Sequence, residues 1–309
     1  MVMSDSASTS RYLDIHCHGG GGHAFGATVE STLTALAAHR AHGTARVVAS
    51  LVSEPLERTV AAMNVVRQAM ALDPSILGVH LEGPFIAPAR KGAHDLATLR
   101  LPTRRAVAEL LEAGDGIIRQ VTIAPELEHA MGAIEQFVEA GVVVAVGHTD
   151  CDAQTARAAF DRGATLITHG FNAMRGIVAR EGGPVGAALA DGRVAIELIA
   201  DGVHVDPSLI AAVFRAAPGR VVLVTDAMAA AASAPGRYPL GSLQVDVTED
   251  GRAYVAGTQT LAGSTLTIDR AVEVCVAAGV PRADAIAAAT TTPACVLGLT
   301  RTTTNTSRR

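Results

Sequence analysis

His16 and His18 stand two apart in Asp14-Ile15-His16-Cys17-His18, directly ahead of the glycine tract 19–22. On an extended chain side chains alternate, so both imidazoles face one way, about 7 Å apart, with Asp14 in register and Cys17 turned to the opposite side. Two imidazoles before a turn that leaves room suit a metal ion; the plainer reading is a pair of partly exposed histidines at a strand end. Other groups of the same chemistry follow apolar runs. Glu82 follows 76–81, His148 follows 142–146, His169 follows 165–168, Asp201 and His204 follow 194–200, and Asp226 follows 221–225. Imidazole nitrogen and carboxylate oxygen without thiolate fit Zn²⁺, Fe²⁺, Mn²⁺ or Co²⁺. His16, His18, Glu82, His148 and His169 together exceed the needs of one tetrahedral ion that keeps an open position. One divalent metal, or two bridged by Glu82, both fit.

Asp226 ends a strand too apolar to hold a carboxylate without purpose. Its structural reading is an ion pair. Its functional reading is a general base that deprotonates a metal-activated water and then, as an acid, protonates a leaving group. Metal-assisted hydrolysis is the chemistry these residue types describe. His80, on the same strand face as Glu82, reads either as a support for a ligand or as a hydrogen-bonded core histidine. His23, His39, His42 and His129 fall in helices or loops and read as surface residues.

These positions require strands that all end on one side. Strands are expected at 11–18, 45–52, 76–81, 117–124, 142–146, 165–168, 194–200 and 221–225, with helices at 28–42, 55–72, 103–113, 128–140, 153–162 and 207–216. Continuous apolar strands alternating with helices imply a parallel sheet covered on both faces. Eight such units predict an α/β fold, a (β/α)8 TIM-like barrel over 11–299, whose chemistry belongs at the C-terminal ends of the strands. Within 237–257 a β-hairpin, 243–247 with 253–255, is expected as an insertion after strand eight. A glycine-rich loop is expected before 194, helices at 264–279 and 282–298, and disordered tails at 1–10 and 300–309.

Composition excludes several classes. The 309 residues are 49 % hydrophobic and 18 % charged, enough for a large core, and the net charge of −5 without a basic tract argues against nucleic-acid binding. No apolar run is long enough to span a bilayer, which argues against a membrane protein. The first ten residues are polar, without the apolar centre of a signal peptide. Cys17, Cys151, Cys275 and Cys295 lack metal or disulfide spacing and read as reduced thiols, so a cytoplasmic location is expected.

The chain resembles the amidohydrolase superfamily and, within it, the N-acetylglucosamine-6-phosphate deacetylases. The matching segments run in order: Asp14-Ile-His-Cys-His18, Gly78-Val-His-Leu-Glu-Gly-Pro-Phe85, Val121-Thr-Ile-Ala-Pro-Glu126, Gly147-His-Thr149, Thr168-His-Gly-Phe-Asn-Ala-Met174, Ile199-Ala-Asp-Gly-Val-His-Val-Asp206, Val224-Thr-Asp-Ala227 and Leu261-Ala-Gly-Ser-Thr265. Many relatives bridge their metals with a carboxylated lysine on strand four; strand 117–124 has no lysine, which agrees with Glu82 as the carboxylate ligand. The resemblance implies metal at Glu82, His148 and His169, a second metal through His16 and His18, and Asp226 as acid and base. It implies sugar and phosphate contacts from Ala93, His94, Asn172, Ala173, Arg180, Asp201, His204, Leu261, Ala262 and Gly263. Arg180 looks like the family arginine that reaches the phosphate bound by a neighbouring subunit, which implies a homodimer. The implied activity, within amino-sugar metabolism, is hydrolysis of the acetamide of N-acetylglucosamine 6-phosphate. The alternatives are an amidohydrolase for another N-acylated sugar and an impaired relative that only binds sugar phosphate. The family usually adds a small β-sandwich built from both chain ends; here the expectation is a barrel without it.

Overall fold

Runs such as 221–224, all valine and leucine, have no polar side to offer water. In the computed structural model of the protein, which describes residues 12–299, they are buried as strands of one parallel sheet. In chain order the strands are β1 (Tyr12–Cys17), β2 (Gly19–Gly20), β3 (His23–Ala24), β4 (Thr44–Val52), β5 (Ile76–Glu82), β6 (Ile118–Ile123), β7 (Val143–Val146), β8 (Leu166–Ile167), β9 (Ala195–Ile199), β10 (Val221–Val224), β11 (Gly236–Leu240), β12 (Leu243–Val247) and β13 (Ala253–Val255). The main sheet runs β1-β4-β5-β6-β7-β8-β9-β10, every neighbour parallel. β10 returns to β1 through the Asp226 N–H on the His16 carbonyl and the His18 N–H on the Ala227 carbonyl, both 2.8 Å. The sheet is thereby drawn into the expected (β/α)8 barrel.

Helices cover it with one apolar stripe each. Arg104–Gly114 buries Ala106, Val107 and Leu110 and begins where the Thr103 hydroxyl accepts the Ala106 N–H. Asp152 and Asp206 cap Ala153–Asp161 and Pro207–Ala216 in the same way. Inside the barrel a polar layer lies beneath the rim. His80 Nδ1 meets Ser50 Oγ at 2.9 Å, its Nε2 meets Thr122 Oγ1 at 2.8 Å, and Thr122 meets Thr168 at 2.8 Å. Of its two readings, His80 takes the hydrogen-bonded core one, and burial holds its pKa well below the usual histidine range.

Four local expectations change. The insertion is a three-stranded antiparallel sheet, β11-β12-β13, not a hairpin. Pro239 masks β11 in the sequence, and an edge strand tolerates proline because its nitrogen need not donate. The glycine-rich loop contains a helix, Gly183–Leu189, held by burial of Val185, Ala187 and Ala188 in spite of its glycines. The two C-terminal helices are three, Ile268–Ala277, Arg282–Ala288 and Thr291–Val296. His39 is buried, not on the surface. It sits under the β2–β3 turn with Nε2 2.8 Å from the Gly19 carbonyl, and burial lowers its pKa. The expected tails at 1–10 and 300–309 lie outside the described residues, among which no helix is long and apolar enough to cross a membrane.

Candidate active site and metal centre

The rim is set by abrupt reversals at the strand ends. His148, His169 and Asp226, each just beyond its strand, have φ of 46°, 27° and 47°. Non-glycine residues held there cost of order 1–3 kcal/mol each, and such strain collects at functional sites. After β5 the reversal is made by Gly83 at φ 88°, where a Cβ would run into Ser53 Oγ. These turns aim the side chains inward over the polar layer.

Glu82 is the hub. Its Oε1 lies 3.0 Å from His169 Nε2, 3.1 Å from His148 Nε2 and 3.4 Å from His16 Nε2. Its Oε2 lies 3.2 Å from His18 Nε2 and 3.4 Å from His94 Nε2. Asp226 Oδ1 stands 3.3 Å from His18 Nε2 and 3.4 Å from His16 Nε2. All of these residues are buried.

Hydrogen bonds at the far ring nitrogens decide what these imidazoles offer. His148 Nδ1 donates to the Arg90 carbonyl at 2.8 Å, so the neutral ring turns an Nε2 lone pair inward. His16 Nδ1 lies 3.0 Å from the Glu197 carboxylate, which gives the same result. His148 Nε2 and His169 Nε2 nevertheless approach to 3.0 Å, and His16 Nε2 and His18 Nε2 to 3.3 Å. Nδ1 of His18 and of His169 is buried without a partner. Lone pairs so close together around two carboxylates call for positive charge. Burial would lower the pKa of His16, but Asp226, Glu82 and Glu197 outweigh it and hold it well above the usual range; His18 is raised to about 9 in the same contest. Glu82, which burial alone would raise, is held well below the carboxylate range, led by His16.

This donor set fits one or two divalent cations. His16, His18, Glu82 and Asp226 offer ligand atoms within 4.8 Å of one another, as do Glu82, His94 and His148. His94 is the weakest of these donors. Its Nδ1 accepts the Ser53 N–H at 3.2 Å, so a neutral ring carries its proton on Nε2 and donates, and burial lowers its pKa to about 4. A third group, Asp14, Cys17 and His39, faces away from the rim and is already engaged. Thr225 Oγ1 donates to Asp14 at 2.6 Å, and the Cys17 thiol, its pKa raised by burial, contacts His39 at 3.3 Å.

Above the cluster opens a cavity of about 300 Å³. Ala93, His94, Asn172, Ala173, His204, Leu261 and Gly263 line it together with His18, Glu82, His148, His169 and Asp226. Asp201, Ala262 and Arg180 are outside the lining. The Asp201 carboxylate turns to His204, 2.7 Å from Nδ1, and accepts two backbone N–H groups. Burial alone would lower the pKa of His204, but Asp201 outweighs it and raises it. Ala262 packs with Met228 and Val245, and Arg180 is exposed on a loop. Sequence reasoning missed Arg90, which lines the cavity and pairs with Asp150 at 2.7 Å, Leu240 of the insertion and Thr260 just beyond it. It also missed Glu197 and Gln120, fully buried below the ligands; the one available signal was a charged residue inside an apolar strand.

The model of the amidohydrolase family matches residues 12–303. The N-acetylgalactosamine-6-phosphate deacetylase of Escherichia coli O157:H7 is 38 % identical over 93 % of this chain and 77 % of its own length. The N-acetylglucosamine-6-phosphate deacetylase of Bos taurus is 39 % identical over 93 % and 74 %. Among solved structures, a mutant N-acetyl-D-glucosamine-6-phosphate deacetylase of Mycobacterium smegmatis in complex with N-acetyl-D-glucosamine-6-phosphate superposes with a TM-score of 0.89 at 44 % identity, covering 94 % of this chain and 77 % of the other. The N-acetylglucosamine-6-phosphate deacetylase of Pasteurella multocida gives 0.89 at 28 % identity, with 94 % and 77 % covered.

Proposed function

We propose that this chain, which belongs to the amidohydrolase family, hydrolyses the acetamide of N-acetylglucosamine 6-phosphate with a divalent metal, releasing glucosamine 6-phosphate and acetate. One observation carries the reading: Glu82, His16, His18, His148 and His169 meet beside Asp226 under a cavity lined by His204 and Asn172. Glu82, His148 and His169 would hold one ion, and His16 and His18 with Glu82 and Asp226 would hold a second where two are bound. Bound there, a divalent cation such as Zn²⁺, Fe²⁺, Mn²⁺ or Co²⁺ would supply Lewis acidity towards the acetamide carbonyl and the attacking water. Asp226 takes a proton from that water and returns it to the nitrogen as the C–N bond breaks. Burial would raise its pKa, but His16 and His18 outweigh this and keep it a carboxylate at the start of the cycle. His94 donates from Nε2 to a sugar hydroxyl, and His204, its pKa raised by Asp201 against the effect of burial, meets the phosphate. Arg180, exposed beside Ile177 and Val178, reaches the phosphate in a second subunit of a homodimer. The setting is cytoplasmic amino-sugar metabolism.

A second reading has a specific observation behind it, the similarity to an N-acetylgalactosamine-6-phosphate deacetylase. Acetate release from the two 6-phosphates, from free N-acetylglucosamine, and from each after chelation and metal restoration tests both. Metal-dependent turnover of a 6-phosphate far above the free sugar is expected. Equal rates without the phosphate, or full activity after chelation, would overturn the proposal, and preference for the galacto epimer would select the second reading.

A further inference from the structure

Glu197 lies in the middle of β9, wholly buried beneath the rim, where an apolar side chain is the norm. Its Oε2 accepts from His16 Nδ1 at 3.0 Å and from the His169 backbone N–H at 3.1 Å; its Oε1 accepts from Gln120 Nε2 at 2.8 Å. Among the described residues no lysine or arginine stands within ion-pair distance of it, so its partners are these three donors. Of the histidines that reach Glu82, two have their far nitrogen tied to an acceptor, His148 to a neutral carbonyl and His16 to this carboxylate. A carboxylate behind a ligating histidine fixes the tautomer and raises the basicity of the facing nitrogen.

We infer that Glu197 is the positioning residue that makes His16 a metal ligand, and so decides whether the barrel binds one divalent cation or two. The inference rests on the metal-dependent reading of the site and deepens it. His16 is the ligand most dependent on such help. It touches the cluster only through Nε2, 3.4 Å from both Glu82 and Asp226, and its neighbour His18 has no partner at Nδ1. Replacing the carboxylate by an amide of the same shape takes away the charge behind His16. With its oxygen towards His16 and its NH₂ towards Gln120, whose unpartnered Oε1 can turn to accept it, the amide keeps the ring tautomer but not the anion that raises the basicity of Nε2.

The test counts metal in the full-length protein. With Zn²⁺ or Co²⁺ titrated into metal-free protein, the parent is expected to bind two ions per subunit. Glu197→Gln should weaken one of them about 10- to 100-fold and leave the other within about threefold, with the Co²⁺ absorption spectrum losing the weakened component. Gln120→Leu disturbs the same buried network but leaves the His16–Glu197 bond, and should keep both ions. If Glu197→Gln does not fold, Glu197→Asp, which keeps the charge but shortens the reach, carries the same test. Two ions at parental affinity in either Glu197 variant would overturn the inference. So would equal weakening of both ions, which would place the effect in His169 or the fold. A parent that binds one ion overturns the inference alone, and a parent that binds none overturns the metal-dependent reading beneath it.

Discussion

Asp226→Asn, compared with the parent at saturating metal, tests the proton transfer assigned to this side chain. Asparagine keeps the size of the side chain and tolerates the positive φ of 47° that this position imposes. The negative charge and the capacity to take up a proton are lost. Asp226 reaches His16 and His18 through Oδ1, and its side chain remains 11 % exposed, towards the cavity it lines. It can therefore meet a substrate while anchored from behind. A positioned acid or base contributes about 10²- to 10⁴-fold, or about 3–5 kcal/mol of barrier, and kcat should fall by that factor. The Coulomb term complicates the count: a unit charge 3.3 Å from a cation, the distance from Asp226 to His18, is worth of order 5 kcal/mol at an effective dielectric of about 20, before competition from Glu82. Loss of the charge will thus weaken a cation held by His16 and His18, so the comparison belongs at saturating metal. Steady-state acetate release should then show the drop in kcat, while calorimetric binding of N-acetylglucosamine 6-phosphate stays within about threefold. A kcat within tenfold of the parent refutes the assignment of the proton to Asp226. Equal binding by two proteins that both lack turnover would instead support a sugar-phosphate binder.

Two further outcomes follow from the structure. His204 has its pKa raised above the usual 6.5 by Asp201, against the effect of burial, so its cation is complete below 6.5 and is lost as pH climbs through the raised value. KM for the 6-phosphate should rise along that alkaline limb at steady kcat; in His204→Gln the limb should vanish and KM sit about ten- to a hundredfold higher throughout, the weight of one charge-assisted hydrogen bond. A limb that survives His204→Gln belongs to another group. Phe137, fully buried with its ring 6.3 Å from that of Phe85 just beyond β5, is a test of the core: Phe137→Ala should lower unfolding free energy by about 3–5 kcal/mol in denaturant titration. A loss below about 1 kcal/mol would mean that the gap closes by local collapse.

What was legible in the sequence, and what was not, divides along a physical line. Strands buried on both faces announce themselves as unbroken apolar runs, and a barrel puts its working groups where such runs stop. Glu82, His148, His169 and Asp226 could be found by that rule because each stands where its run gives out. The elements that escaped depend on partners distant in the chain. β11 carries Pro239 and is a strand only because β12 pairs with one side of it. Gly183–Leu189 has poor helix formers and is a helix because Val185 and Ala188 are buried. His39 looks solvated among Arg40 and His42 until the turn at Gly19 folds over it. Glu197 is the instructive case, because the same rule that picked out the proposed ligands concealed the carboxylate behind one of them. Reading only strand ends passes over the middle of β9, yet a carboxylate inside Ala-Ile-Glu-Leu-Ile cannot be buried without donors. In a barrel those donors can come from across the interior as well as from a neighbouring strand, and here they are His16 of β1, Gln120 of β6 and the His169 N–H just beyond β8. A charged residue in mid-run is therefore as informative as one at the end, and the group it supports sits above it at the rim.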